Sequence, residues 1–209
     1  MTEGVRGLVL LLHGGRSVSA KPAGPAQLAV LRVAALAPPV RHSLHGQGVL
    51  VRAPRFTVRG WNGAQASPVA DLNRWLDEAA ATCGPVPIAL IGHSMGGRAA
   101  LRAAGHPQVI AVAGLAPWLP ADEPVAQLAG TWVLLAHGDR DRVTSADLTW
   151  EYARRAAAVT RITTVPVPGG DHAMLRRERP WRRIVTEFAR AAFGPGEQAG
   201  GPAGPGFSG

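Results

Sequence analysis

The sequence predicts an α/β fold: a mostly parallel sheet of about six strands with helices on both faces. Three observations carry that expectation. Short apolar runs bounded by Gly and Pro alternate with longer stretches of helical periodicity along most of the chain, the pattern of successive βαβ units. The run Gly7-Leu8-Val9-Leu10-Leu11-Leu12 is apolar at consecutive rather than alternate positions, as in a strand buried on both faces. A third run, Val86 to Ile91, passes through Gly92-His93-Ser94-Met95-Gly96 directly into an Ala-rich stretch, so a strand and a helix meet at a glycine-flanked turn.

The elements follow in order. After the first strand, Pro25 to Ala37 reads as a helix with Leu28, Val30, Leu31, Val33 and Leu36 as its apolar side, stopped by Pro38-Pro39. Gly48 to Arg52 is a short strand. Arg52 to Gly63 is ambiguous, with Phe56 and Val58 in extended spacing before the turn-rich Arg59-Gly60-Trp61-Asn62-Gly63. Ser67-Pro68 supplies an N-cap and a first helical position. The helix they open carries Val69, Leu72, Leu76 and Ala80 at steps of three and four, with Trp75 alongside, and ends at Gly84-Pro85. Met95 to Ala104 is a helix, Val109 to Leu115 a strand, Thr131 to Ala136 a strand, Ser145 to Val159 a helix, Arg161 to Val167 a strand and Pro180 to Phe193 a helix. Pro117 to Gly130 is an irregular, Pro-containing connection.

The 209 residues suit one domain, expected over residues 1–193, with the Gly/Pro-rich residues 194–209 expected to be a disordered tail. At 46% hydrophobic and 17% charged the composition is that of a globular protein with a substantial core. One cysteine, Cys83, excludes an intramolecular disulfide framework and a multi-cysteine zinc site. No apolar run has the length of a membrane span. The signal-peptide candidate within Gly7 to Leu12 is short, and cleavage near Ala20 would remove a core strand, so a cytoplasmic location is expected. The net charge of +8 raises a nucleic-acid reading. All 22 basic residues except Lys21 are arginine in a chain rich in Ala, Gly and Pro, a composition expected from GC-rich coding. The cluster Arg176-Arg177-Arg179 with Arg182-Arg183 is read as a solvated helix face, and neither nucleic acid nor membrane is expected as a partner.

Chemistry is concentrated at Gly92-His93-Ser94-Met95-Gly96-Gly97. A strand that turns sharply into a helix strains the central residue and leaves no room for side chains two positions either side, hence the glycines. The turn exposes Ser94 Oγ at the carboxyl end of the sheet, where open α/β sheets bind ligands. It also sets the Met95 N–H at the positive end of a helix, ready to donate to an oxyanion.

A serine nucleophile needs a base and a group that orients the base. In a strand–elbow–helix arrangement the partners follow in the order Ser, carboxylate, His. Of the seven histidines, only His172 lies beyond the carboxylates that follow the Thr131 to Ala136 strand. Those carboxylates are Asp139, Asp141 and Asp147; Asp141 is the chosen acid, and Asp139 is assigned to its own turn. Asp171 is read as stabilising its loop, because sequence neighbours rarely point at each other.

The motifs Gly92-His93-Ser94-Met95-Gly96-Gly97, His13-Gly14-Gly15 after the first strand, Gly138-Asp139-Arg140-Asp141 and Gly170-Asp171-His172, in that spatial logic and over roughly residues 5 to 193, resemble the α/β-hydrolase superfamily. The likeness is nearest to small cap-less serine hydrolases of the dienelactone hydrolase and carboxylesterase kind. The resemblance implies an α/β-hydrolase fold with a trimmed sheet, because the usual leading antiparallel strands are missing, and no cap domain. It implies that the N–H groups of Gly15 and Met95 form the oxyanion hole. His13 and His93 are then structural. Trp118 and Trp61 are candidate rim aromatics, and core packing is the equal alternative for each. Arg16 and Arg98 lie near the expected oxyanion loop and elbow helix, where an anionic substrate group or plain solvation are both open.

The implied activity is cleavage of a carboxylic ester, thioester or lactone of a small-molecule acyl substrate by Ser94, His172 and Asp141, with no metal and no organic cofactor. The alternatives are an acyltransferase or perhydrolase using the same triad, and a non-catalytic scaffold of the same fold that binds a ligand or partner.

Overall fold

The computed structural model describes residues 4–175 and 177–194. Its centre is a six-stranded sheet in the order β2-β1-β3-β4-β5-β6, formed by β1 (Gly7–Leu12), β2 (Val49–Arg52), β3 (Ile88–His93), β4 (Val109–Leu115), β5 (Trp132–Gly138) and β6 (Ile162–Val167). Every neighbouring pair is parallel, so the sheet is wholly rather than mostly parallel. Parallel neighbours require a crossover between them, and those crossovers place helices on both faces.

The α-helices among the described residues are α1 (Leu28–Ala34), α2 (Ala37–Ser43), α3 (Ser67–Cys83), α4 (Met95–Arg102), α5 (Ala146–Ala156) and α6 (Glu178–Phe193). Alternate strand residues face opposite sides. Leu8, Leu10, Leu12, Leu90 and Val112 pack with Leu72 and Leu76 of α3, Ala99 to Leu101 of α4 and Tyr152 of α5. Val9, Leu11, Ile91, Ala113 and Leu134 pack with Val33 of α1, Val40 of α2 and Trp181, Ile184, Val185 and Phe188 of α6. All six residues of β1 are buried, as a strand covered on both faces must be.

The first helix differs from its expectation. The Pro38-Pro39 pair does not stop it; the chain bends and the prolines enter the first turn of α2, where no intrahelical N–H is needed. The inward side is Val30, Val33, Leu36, Ala37 and Val40, at the three- and four-residue steps of a helical face, while Leu28 and Leu31 point to solvent. Ser67 is likewise one position inside α3 and not its cap. Ala66, in left-handed geometry at φ 42°, occupies the cap, and the Ser67 hydroxyl accepts from Asn62 Nδ2 at 3.2 Å. Ser145 does cap α5, its hydroxyl accepting from the Leu148 N–H. Arg179, Arg182 and Arg183 lie on the exposed side of α6, two of them paired with Glu178 and Glu187; Arg176 lies outside the described residues.

Between β4 and β5 the chain from Pro117 to Gly130 holds one short 3₁₀ turn, Ala126–Leu128, and no inserted domain. Of the expected tail, residues 195–209 lie outside the described residues. Among the described residues no helix is long and apolar enough to cross a membrane.

Candidate active site

β3 ends at His93 and α4 begins at Met95, so Ser94 alone makes the corner, with φ 53° and ψ −118°. A non-glycine residue in that region costs about 1–3 kcal/mol, sustained only when the surroundings hold it. They do. The Ser94 N–H donates to the Leu115 carbonyl at 3.0 Å, and its own carbonyl accepts from the N–H groups of Arg98 and Trp118. The flanking glycines are dictated by contact: a Cβ on Gly92 would lie 2.2 Å from the Gly96 carbonyl oxygen, and one on Gly96 2.4 Å from that of Leu12. The elbow therefore rests against β1, which leads into the His13-Gly14-Gly15 loop.

Two further strand ends converge on Ser94. β5 runs into the loop carrying Asp141, and β6 into the loop carrying His172. Gly138 and Gly170 let these loops touch, since a Cβ on Gly138 would meet the Gly170 carbonyl oxygen at 2.2 Å. Asp139 ties them as well, but not through its own turn as expected. Its Oδ1 accepts from the Gly169 N–H at 2.6 Å, across the sheet end. The result brings together the three side chains singled out from the sequence. His172 Nε2 is 3.1 Å from Ser94 Oγ, and His172 Nδ1 is 2.7 Å from Asp141 Oδ2. Asp147, on α5, takes no part in this line; Asp171 Oδ1 accepts from the Leu175 N–H at 3.1 Å within its loop.

Asp141 is enclosed on all sides, its side chain 1% exposed. Oδ1 accepts from the N–H groups of Val143 and Thr144 at 2.7 and 2.9 Å. Oδ2 accepts from His172, from His137 Nε2 at 3.1 Å and from the Thr144 hydroxyl at 2.9 Å. Burial alone pushes this carboxyl up. The hydrogen bonds from His137, His172 and the two backbone N–H groups outweigh it and hold the group well below the usual carboxylate range. His137 and Thr144 were not among the residues selected from the sequence. The available signal was their spacing, four before and three after Asp141, which meets one side chain only when the strand end and its turn curl around it.

His93 and His13 are built into the frame. His93, buried beside Ser94, has its Nε2 2.8 Å from the main-chain carbonyl oxygen of His172; its Nδ1 is buried without a hydrogen-bond partner. Burial, then the nearby His172, lower its titration from the ordinary value to about 3. His13 accepts the Phe56 N–H at Nε2 and lies 2.7 Å from the Gly14 carbonyl oxygen at Nδ1, so it clamps the loop between β1 and the segment after β2. Burial lowers its titration too.

Around Ser94 the amides of Ser94 and Arg16 are spent on Leu115 and Arg59. Met95 opens α4, so its N–H has no acceptor inside the helix. Gly15 packs against it: a Cβ there would lie 2.4 Å from Met95 Cε. These are the two amides assigned to the oxyanion from the resemblance.

Trp61 and Trp118 meet edge to face at 6.1 Å. The Arg98 guanidinium lies 3.9 Å from the Trp61 ring centre and 4.7 Å from that of Trp118. Trp61 is 4% exposed and is core, not rim, because this guanidinium and the Trp118 edge cover it; Trp118 is partly exposed. Arg98 Nε bonds Glu123 Oε2 at 2.7 Å, and Arg102 Nε bonds the other oxygen, so Glu123 ties the Pro117–Gly130 connection to α4. Arg16 is exposed. On the His172 side a cavity of about 630 Å³ is lined by Arg140, Asp141, Arg142, Val143, Asp171 and His172. Among the described residues no group of three or more His, Cys, Asp and Glu is arranged to hold a metal ion.

No family model matches the sequence, and no curated protein does. Solved structures do match. The chain is similar to an alpha-beta serine hydrolase homologue from Coxiella burnetii, with TM-score 0.63 and 16% identity over 88% of this chain and 84% of that one. It is similar to a serine hydrolase from Xanthomonas campestris described as being without a lid, with TM-score 0.62 and 19% identity over 88% and 81%. It is similar also to the esterase domain of a Rhodothermus marinus protein, with TM-score 0.61 and 18% identity over 92% and 90%. The agreement extends over most of each chain and shows a common fold.

Proposed function

We propose that this chain, which has the α/β-hydrolase fold, is a serine hydrolase cleaving a carboxylic ester, or a thioester or lactone, through an acyl-enzyme intermediate. The single observation that carries this reading is the unbroken line from Ser94 Oγ through His172 to Asp141, at 3.1 and 2.7 Å.

In this reading Ser94 Oγ attacks the acyl carbonyl carbon while His172 Nε2 takes the hydroxyl proton. Asp141, held ionised, accepts from His172 Nδ1–H, so the ring presents Nε2 as its basic atom, and balances the imidazolium that forms. The negative charge developing on the carbonyl oxygen is met by the N–H groups of Gly15 and Met95. Collapse of the tetrahedral species breaks the bond to the leaving oxygen or sulfur, which takes the proton from His172. Water then gives a proton to His172 and attacks the acyl carbon; collapse breaks the acyl–Oγ bond, His172 returns the proton to Ser94 Oγ, and the acid leaves. The lidless placement of Ser94 and the partly exposed Trp118 support an open site for a small acyl substrate.

The test is labelling by a fluorophosphonate probe of the wild type, Ser94→Ala and His172→Ala. Labelling confined to the wild type is expected; a folded wild type that stays unlabelled, or a labelled Ser94→Ala variant, overturns the assignment.

A further inference from the structure

We propose that His137 is a positioning residue of this site, its Nε2–H sharing Asp141 Oδ2 with His172 and thereby setting how tightly the carboxylate grips the base. The inference rests on the triad reading of Ser94, His172 and Asp141. It adds to it a second imidazole on the same carboxylate.

The hydrogen positions follow from chemistry. An ionised carboxylate oxygen only accepts, so a ring nitrogen 3.1 Å from Asp141 Oδ2 must carry the proton. The opposite nitrogen, Nδ1, lies 2.8 Å from Thr149 Oγ1 on α5. The ring is thus pinned at both ends between β5 and α5, with its side chain fully buried and set steeply against the Trp150 ring at 6.2 Å. Asp141 is the one titratable group it touches among the described residues, with His172 beyond it; Thr144 and Thr149 are neutral. A surface or purely packing histidine has no need of a fixed donor aimed at the acid of a triad.

The consequence concerns charge. Three side-chain donors divide the lone pairs of one oxygen: His172 Nδ1 at 2.7 Å, the Thr144 hydroxyl at 2.9 Å and His137 Nε2 at 3.1 Å. Each donor removes electron density that the carboxylate could offer the others. Withdrawing His137 concentrates the negative charge on the bond to His172 and favours the imidazolium, so the base is protonated at higher pH and the acid limb of activity moves up.

His137→Gln and His137→Asn separate this from a structural role. The glutamine amide nitrogen superposes on imidazole Nε2 and can still donate to Asp141; the asparagine amide superposes on Nδ1 and cannot. The measurement is the fluorophosphonate labelling rate of Ser94 from pH 4.5 to 8.5, with thermal melting as a folding check. The asparagine variant is expected to move the acid limb upward by on the order of half to one pH unit, and the glutamine variant to bring it back toward wild type. Equal limbs in folded asparagine, glutamine and wild-type proteins, or equal displacement in both variants, overturn the proposal. A second arm needs neither variant nor activity: long-range ¹H–¹⁵N correlation on wild-type protein at pH 7.5 should show Nε2 of His137 protonated, and a bare Nε2 overturns the proposal. Absence of wild-type labelling refutes the hydrolase reading alone, and this arm still decides His137.

Discussion

His93 Nε2 lies 2.8 Å from the main-chain carbonyl oxygen of His172, so the residue before Ser94 supports the loop that carries His172. The bond crosses from the end of β3 to the turn after β6. It sets the height of His172 over Ser94 through the backbone, leaving both nitrogens of the His172 ring for Asp141 and Ser94.

This relationship has a pH signature. His93 titrates near 3 in the folded chain and near 6.5 when unfolded, chiefly because burial disfavours its charged form. The unfolded state therefore binds more protons, and stability contributed by neutral His93 is present above about pH 6.5 and lost progressively as pH falls toward 3. Melting temperature measured from pH 7.5 to 4 should fall more steeply in the wild type than in His93→Gln, which has no proton to gain. At pH 7.5 His93→Asn, whose amide superposes on Nδ1 and cannot reach that oxygen, should slow probe labelling more than His93→Gln, since the carbonyl of His172 loses its anchor.

Asp141→Asn keeps the shape of the acid and removes its charge. Both histidines bond one oxygen, and the Val143 and Thr144 N–H groups bond the other. An amide, with one acceptor oxygen in place of two, turns an NH₂ toward donors on one side and leaves His172 without the charged partner that fixes its tautomer. A kcat reduction of about 10³–10⁴ is expected, with KM little changed, as measured on any ester the wild type turns over. Because the carboxyl is held well below the usual range, its stabilising effect exists above about pH 4 and fades only in stronger acid. The wild-type acid limb therefore does not report Asp141.

Gly96→Ala tests whether the elbow depends on backbone contact. The added Cβ would sit 2.4 Å from the Leu12 carbonyl oxygen and 2.6 Å from that of His13, atoms fixed by β1. A loss of several kcal/mol is expected, or a displaced elbow without labelling. A variant with wild-type melting and labelling would show that β1 yields.

Glu123→Gln asks what joins the β4–β5 connection to the elbow helix. Its fully buried carboxylate balances Arg98 and Arg102, and neutralising it removes the one carboxylate that both guanidinium groups bond. Destabilisation of about 3–5 kcal/mol is expected by denaturant titration. Arg98 also loses its seat against Trp61 and Trp118, so the Trp fluorescence of the folded state should change.

Local pattern carried much of this protein. Consecutive apolar positions marked β1 and β3, because a strand covered on both faces needs no alternation. Gly92 and Gly96 marked the elbow by their spacing about Ser94; the contact that demands Gly92 is local, to Gly96, whereas the one that demands Gly96 is with the end of β1. Position after the last strand singled out His172. Boundaries were less legible: Pro38-Pro39 fits the start of one helix as well as the end of another, and the outward turn of Leu28 and Leu31 depends on how the short α1 is rolled against the sheet.

What only the tertiary structure decided lies between segments far apart in the chain. Asp139 reaches Gly169, 30 residues on, because β5 and β6 are neighbours and their loops abut. Trp61, in the segment between β2 and α3, is core because Arg98 of α4 lies on its face. His137 joins the acid because the end of β5 and the turn after it curl around one carboxylate. A sequence displays the residue types that such contacts require, but strand order and loop closure select the partners, and those are set by the packing of the whole sheet.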